Sequence, residues 1–139
     1  MKGIWRPSIK KSQSSGVKKS FVDAIHDVGA IHKRVVPGFV VDCKLEGEWR
    51  TVTFANGMVV RELIVSVDDK TCRHAWSARG APLTHHNASV LVFPDADEKC
   101  RVVWIADLMP NEVAEAIAEM IEQGLSRMKQ TLEANPTAG

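Results

Sequence analysis

Apolar and polar positions alternate with a period of two through the middle of the chain, from Phe39 to Leu108. This period is typical of strands that bury one face, and clusters of Gly, Asn, Asp and Pro divide the region into short segments. The predicted strands are residues 39–45, 49–54, 58–67, 71–78, 84–93 and 99–108. Because the turns between them are short, the pattern predicts a meander of antiparallel strands.

Helical spacing replaces this alternation on the N-terminal side of the strands. Apolar residues recur at intervals of three and four over residues 17–27, and Gly29 ends the pattern before a second short turn at residues 30–34. The sequence therefore predicts two short helices separated by a break.

The C-terminal region carries a long helical pattern. An apolar stripe at i, i+3, i+4 and i+7 runs from Val113 to Leu132 and predicts a helix over residues 111–134, with Asn111 as its cap. Gly124 interrupts the stripe at a cost of about 1 kcal/mol relative to Ala. A close approach by a ligand or another backbone would explain it, and so would simple packing.

These elements predict a single α+β domain over residues 1–139, a length that buries a sufficient core without disulfides. Residues 1–16 fit the pattern least, because Pro7 and a polar run follow the few apolar residues. They predict a basic segment or an edge strand. Six bases and no acid occur in the first twenty residues: Lys2, Arg6, Lys10, Lys11, Lys18 and Lys19.

Charge and composition narrow the class of protein. The net charge of +1 gives no general attraction to nucleic acid, so no nucleic-acid partner is expected, although the basic segment could contact phosphates. No apolar run approaches the ~20 residues of a membrane span. Three widely spaced cysteines suit a reducing setting, and we expect a cytoplasmic protein.

Known signatures of cofactor and metal chemistry are missing from the sequence. It has no Gly-rich phosphate loop, no Gly-x-Ser-x-Gly elbow and no dinucleotide fingerprint. His85 and His86 are adjacent in a predicted strand and point to opposite faces, which prevents them from sharing one ion easily. No cofactor and no metal are expected.

The third predicted strand has two mostly apolar faces. Val60, Glu62 and Ile64 share one face, whereas Arg61, Leu63, Val65 and Val67 share the other. Alternation alone does not decide which face is concave.

Several short motifs occur in an order that resembles one protein family. They are Gly57–Leu63 followed by Val67-Asp68-Asp69, then Pro82-Leu83, Val102-Val103-Trp104 and Gly124-Leu125. Together they resemble the bacterial polyketide cyclase/dehydrase-like proteins of the START and birch-pollen-allergen (SRPBCC) superfamily, over roughly residues 21–132. The resemblance implies a helix-grip fold, in which a curved antiparallel sheet wraps a long C-terminal helix around an apolar cavity.

The resemblance also assigns candidate site residues. In the related plant abscisic acid receptors a strand Glu and residues of the following loop and strand face the cavity, and Glu62 and His86 match those positions. A buried carboxylate needs a cation, and His86 is the favoured neighbour to provide it. The candidate ligand-binding residues are Phe39, Val52, Phe54, Val60, Glu62, Ile64, Trp76, Leu83, His86, Ala88, Val103, Ile117, Met120 and Gly124.

Three functions remain open at this stage. The favoured one is binding of a small, largely hydrophobic ligand that is lipid-, polyketide- or aromatic-like. In the second, Glu62 and His86 are the catalytic acid and base of a cyclase or dehydratase, a lyase or isomerase-like enzyme. In the third, the chain is an oligomeric interaction module without a ligand, a homodimer for example. Glu62 could instead pair with Arg50 or Arg61 at the rim, leaving His86 as a partly exposed strand residue.

Overall fold

A computed structural model describes residues 2–5, 21–95 and 99–134. The elements are β1 (Lys2–Trp5), α1 (residues 21–26), α2 (Ile31–Arg34), β2 (Val40–Glu46), β3 (Trp49–Phe54), β4 (Val59–Asp68), β5 (Arg73–Arg79), β6 (His85–Asp95), β7 (Lys99–Met109), a 3-10 turn (Asn111–Val113) and α3 (Ala114–Ala134). Residues 6–20 lie outside the described part, and with them the first four residues of the predicted 17–27 helix.

The strands form one antiparallel sheet in the order β1-β7-β6-β5-β4-β3-β2. Six of them are the predicted meander, and β1 pairs with β7 at one edge, with Gly3 opposite Trp104. The sheet curves around α3, and the predicted helix-grip fold is confirmed.

The β3–β4 hairpin sets the register that later positions the site. Its loop is the three residues Ala55, Asn56 and Gly57, because the Phe54 amide donates to the Met58 carbonyl at 2.8 Å. Gly57 has φ +90°, the left-handed conformation that such a loop requires at its last position. Counting back from this loop places Arg50 directly opposite Glu62.

The hydrophobic core fills the end of the grip nearest the β6–β7 turn. Phe21 of α1, Val92 of β6, Val102 of β7 and Leu132 of α3 are all buried there. Nearer the β3–β4 and β5–β6 loops the interior contains a cavity, which Met58 and Leu83 help to line.

The predicted cap of the C-terminal helix is wrong. Asn111 is the first residue of the 3-10 turn, and the residue before that turn is Pro110, which makes no side-chain cap hydrogen bond. A tighter first turn thus replaces side-chain capping, as is common at helix ends.

Gly124 lies where α3 crosses the sheet. A Cβ atom at this position would lie 2.9 Å from Cζ3 of Trp104 and 3.3 Å from Cε2 of Phe39. The close approach inferred from the sequence is therefore made by aromatic side chains, neither by a ligand nor by another backbone.

Replacing Gly124 with alanine is expected to lower the free energy of unfolding by about 1–2 kcal/mol. Helix propensity favours alanine by about 1 kcal/mol, but overpacking against the Trp104 ring costs more. Urea unfolding measures the change, and Ser126→Ala on the exposed side of α3 is the control, expected to be neutral or slightly stabilising. A stabilised Gly124→Ala protein would contradict this account of the contact.

Candidate functional site

A cavity of about 390 Å³ lies between the concave face of the sheet and α3. It reaches the surface beside exposed residues Met58, Pro82 and Ala116. Of the residues predicted from the sequence, these lie on its wall: Phe39, Val52, Phe54, Val60, Glu62, Trp76, Leu83, His86, Ile117 and Met120. Glu62 therefore does face the concave side.

The other four predicted ligand-binding residues are not part of the cavity wall, and their role stays a prediction. Val103 points to the outer face of β7, because its neighbour Trp104 lines the cavity. Gly124 is covered by the Trp104 ring. Ala88 is buried opposite Trp76, and Ile64 packs against the edge of the core.

An ion pair between Arg50 and Glu62 lies in the cavity wall. Nε of Arg50 donates to Oε1 of Glu62 at 2.7 Å, and the side chains are only 3% and 10% exposed. Nη1 of Arg50 also donates to the Val28 carbonyl at 3.1 Å, and its guanidinium lies 5.6 Å from the centre of the Trp76 ring. Arg50, and not His86, thus provides the cation that Glu62 needs, inside the cavity and away from the rim.

His86 lies on β6 and faces the same cavity. Its Nδ1 accepts a hydrogen bond from the Ala78 amide at 2.9 Å. The neutral ring therefore carries its proton on Nε2. Burial lowers the pKa of His86, and the neighbouring His85 lowers it further.

Glu62 and His86 do not form a pair. Ala78 of β5 lies directly opposite Glu62 and is hydrogen-bonded to the His86 ring on its other side. Two strand spacings therefore separate the backbones of Glu62 and His86, which is about 10 Å.

His74 also lines the cavity, although it is not among the site residues predicted from the sequence. It is 3% exposed, and its ring stacks on Trp76 with 4.8 Å between the centroids. Nδ1 lies 3.3 Å from the Ser66 carbonyl, to which it can donate, whereas Nε2 is buried without a partner among the described residues. Burial lowers the pKa of His74 to about 3, with the Arg50 charge adding to the effect, so the ring is neutral at physiological pH.

The positions of Arg50 and His74 on the cavity wall left a signal in the sequence. Arg50 shares the inward face of β3 with Val52 and Phe54, two residues that were selected. His74 stands two positions before Trp76 in the same strand, so strand alternation places it on the same face.

No group of three metal-ligating side chains occurs within the described residues. In the same part of the chain, none of the helices combines the length and apolarity needed to span a bilayer.

Solved structures with this arrangement are similar over nearly the whole chain. An uncharacterised protein from Bacillus thuringiensis has a TM-score of 0.78 at 14% identity, covering 95% of this chain and 97% of that one. Norcoclaurine synthase from Thalictrum flavum, in complex with a transition-state analogue, gives 0.68 at 13%, covering 98% and 92%. A START superfamily protein from Mycobacterium smegmatis gives 0.66 at 7%, covering 97% and 94%.

These similarities show that the protein has a helix-grip, START-like fold. The chain belongs to the family described as polyketide cyclase / dehydrase and lipid transport, whose sequence profile matches residues 21–133. The resemblance read from the short motifs is thus confirmed. None of the proteins of curated function compared with the chain matches it significantly.

Proposed function

We propose that this protein binds a small, largely apolar molecule inside the cavity between the sheet and α3. The observation that carries the proposal is a cavity of about 390 Å³ whose apolar wall is interrupted by a few buried polar groups. Sites for small molecules have this size and this composition. The family description, which includes lipid transport, supports the same function.

The polar groups of the wall are suited to orienting such a molecule. The Arg50–Glu62 pair is already satisfied internally, so it offers fixed partial charges without requiring a charged ligand. His86 presents an Nε2–H donor, because its Nδ1 is held by the Ala78 amide. A ligand with one polar end could therefore hydrogen-bond the wall while its apolar body contacts Trp76 and Phe54.

The geometry supports binding better than acid/base catalysis by Glu62 and His86. A proton relay between the two residues would need hydrogen-bond reach, and β5 lies between them. One oxygen of Glu62 is also occupied by Arg50. A cyclase or dehydratase that uses these two groups as a pair is therefore the less favoured alternative.

The hypothesis of an interaction module without a ligand stays a prediction. Ile105 on the outer face of β7 and Val65 at the β4 bulge are exposed and could contact another chain.

Filling the cavity is expected to abolish binding. Ala78 lies in the wall between Glu62 and His86, and Ala78→Phe would place a ring in the space that a ligand needs. Val65 of β4 is exposed and does not line the cavity, so Val65→Phe introduces the same ring away from the ligand and is the matched control.

Native and denaturing mass spectra of the purified proteins measure the bound molecule. We expect an added small-molecule mass in wild type and in Val65→Phe, and a loss of at least about tenfold in occupancy in Ala78→Phe. Protein that purifies empty is titrated with naphthalene and 2-naphthol by calorimetry. A folded wild-type protein that binds nothing in either experiment would overturn the proposal, as would equal binding by both variants.

A further inference from the structure

The buried nitrogen of His74 is a hydrogen-bond acceptor without a partner in the described residues. Nδ1 carries the proton that goes to the Ser66 carbonyl, so Nε2 of the neutral ring presents a lone pair. Native proteins satisfy nearly all buried polar atoms, and an exception in a cavity wall calls for an explanation. The atom is almost fully enclosed by protein, so a donor supplied by a bound molecule would satisfy it once the adjoining side chains move aside.

Among the described residues, the charges around the cavity interior balance without a ligand. Arg50 and Glu62 neutralise each other at 2.7 Å, and His74 and His86 both have lowered pKa values that keep the rings neutral. Arg79 is the remaining cation of the wall, but it is exposed, and its Nε donates to Oγ of Ser77. A carboxylate or an ammonium group placed deep in the cavity would therefore lose its hydration without gaining an unpaired counter-charge.

The kind of donor group follows from the additional polar atoms that the group would carry into the cavity. An amide N–H carries a carbonyl that would need its own buried partner, whereas a hydroxyl adds only one small polar atom. His74 is also separated from the His86 end of the cavity by four residues of β5, about 13 Å, with Trp76 between. That space accommodates an apolar body next to the indole ring.

Resting on the proposed function, we infer that the ligand is an uncharged apolar molecule, a phenol or an alcohol, whose hydroxyl donates to Nε2 of His74. The hydroxyl lies at the inner end of the cavity, and the apolar body extends along Trp76 toward the mouth. The neighbouring indole holds the His74 ring in place by stacking, so the acceptor is positioned before the ligand arrives.

Three probes of one shape test this inference by calorimetry: 2-naphthol, naphthalene and 2-naphthoate. Transfer from water into an apolar cavity favours naphthalene over 2-naphthol. Tighter binding of 2-naphthol therefore indicates a hydrogen bond in the cavity. We expect wild type to bind 2-naphthol about tenfold more tightly than naphthalene and to bind 2-naphthoate most weakly.

Two variants locate the acceptor. His74→Phe keeps a ring for stacking on Trp76 but has no acceptor, so it should lose the preference for 2-naphthol and keep its affinity for naphthalene. His74→Gln retains an acceptor on a side chain of similar reach and should keep part of the preference. Naphthalene binding also shows that each variant is folded with its cavity intact.

The outcomes separate the two proposals. Naphthalene and 2-naphthol binding equally to wild type would overturn the hydroxyl inference while leaving the cavity as a binding site. Tightest binding of 2-naphthoate would overturn it in favour of an anionic ligand, and a preference for 2-naphthol that survives in His74→Phe would overturn the role of His74. Failure of all three probes would count against the proposed function itself. If His74→Phe does not fold, comparing the affinities of the three probes for wild type and His74→Gln still tests whether His74 accepts the hydroxyl hydrogen bond.

Discussion

Replacing Arg50 with methionine is expected to lower the free energy of unfolding by about 3–5 kcal/mol. The substitution leaves the Glu62 carboxylate buried without its counter-charge, and removal of one partner of a buried ion pair has this effect. The Val28 carbonyl also loses a donor. Urea unfolding at neutral pH, with the slope checked for two-state behaviour, measures the loss.

Two further variants serve as controls for the unfolding measurement on Arg50→Met. Arg61→Met removes an exposed cation from the next strand and should cost no more than about 1 kcal/mol. In the double variant Arg50→Met/Glu62→Gln no buried charge remains unpaired, so its loss should be smaller than the sum of the two single losses. Similar losses in Arg50→Met and Arg61→Met would mean that the pair contributes no more than a surface contact.

Lowering the pH from 7 to 5 is expected to destabilise wild type by about 2 kcal/mol more than it destabilises His74→Gln. An unfolded histidine takes up a proton near pH 6.5, but folded His74 stays neutral until about pH 3. In that window the unfolded state binds more protons, so stability falls as the pH falls, by about 1.4 kcal/mol per pH unit. Unfolding free energies of both proteins at pH 7, 6 and 5 provide the comparison.

The difference between the two proteins isolates His74, because their carboxylates are the same. His86 has a lowered pKa as well and acts in the same direction in both. Parallel stability curves for wild type and His74→Gln would show that the His74 ring is protonated in the folded protein at pH 5.

The order and type of elements could be predicted because they depend on local information. A period of two, a period of 3.6 and turn residues such as Asn56-Gly57 are set by backbone geometry within a few residues. The predicted start of α3 is wrong because it too relied on a local pattern. Asn111 has the chemistry of a cap, but the chain after Pro110 enters the helix through a 3-10 turn instead.

The site could be predicted only in part, because it depends on which strands meet. Strand alternation and family resemblance placed Glu62 and His86 on the cavity wall. The partner of Glu62 depends on the hairpin register, which the three-residue loop ending at Gly57 determines and which places Arg50 opposite. Counting from that loop would have favoured Arg50 over Arg61 as the partner of Glu62.

Other features of the site could not be obtained from the sequence at all. The approach of the Trp104 ring to Gly124 depends on where α3 crosses the sheet, which no local pattern encodes. That Nε2 of His74 has no partner in the described part of the chain likewise appears only once the ring, Ser66 and Trp76 have been placed in three dimensions.

The intrinsic fluorescence of the two tryptophans in the cavity wall can be used to detect ligand binding. Trp76 and Trp104 meet edge to face, with 5.6 Å between the ring centroids. A molecule that enters the cavity changes the polarity next to both rings, and hence their ultraviolet emission, without any attached dye. Trp49 serves as an internal reference, because it lies on the outer face of the sheet, 4.3 Å from the Arg61 guanidinium. Exchanging Trp49 for phenylalanine would remove the reference signal and leave the emission of Trp5, Trp76 and Trp104, of which the last two line the cavity.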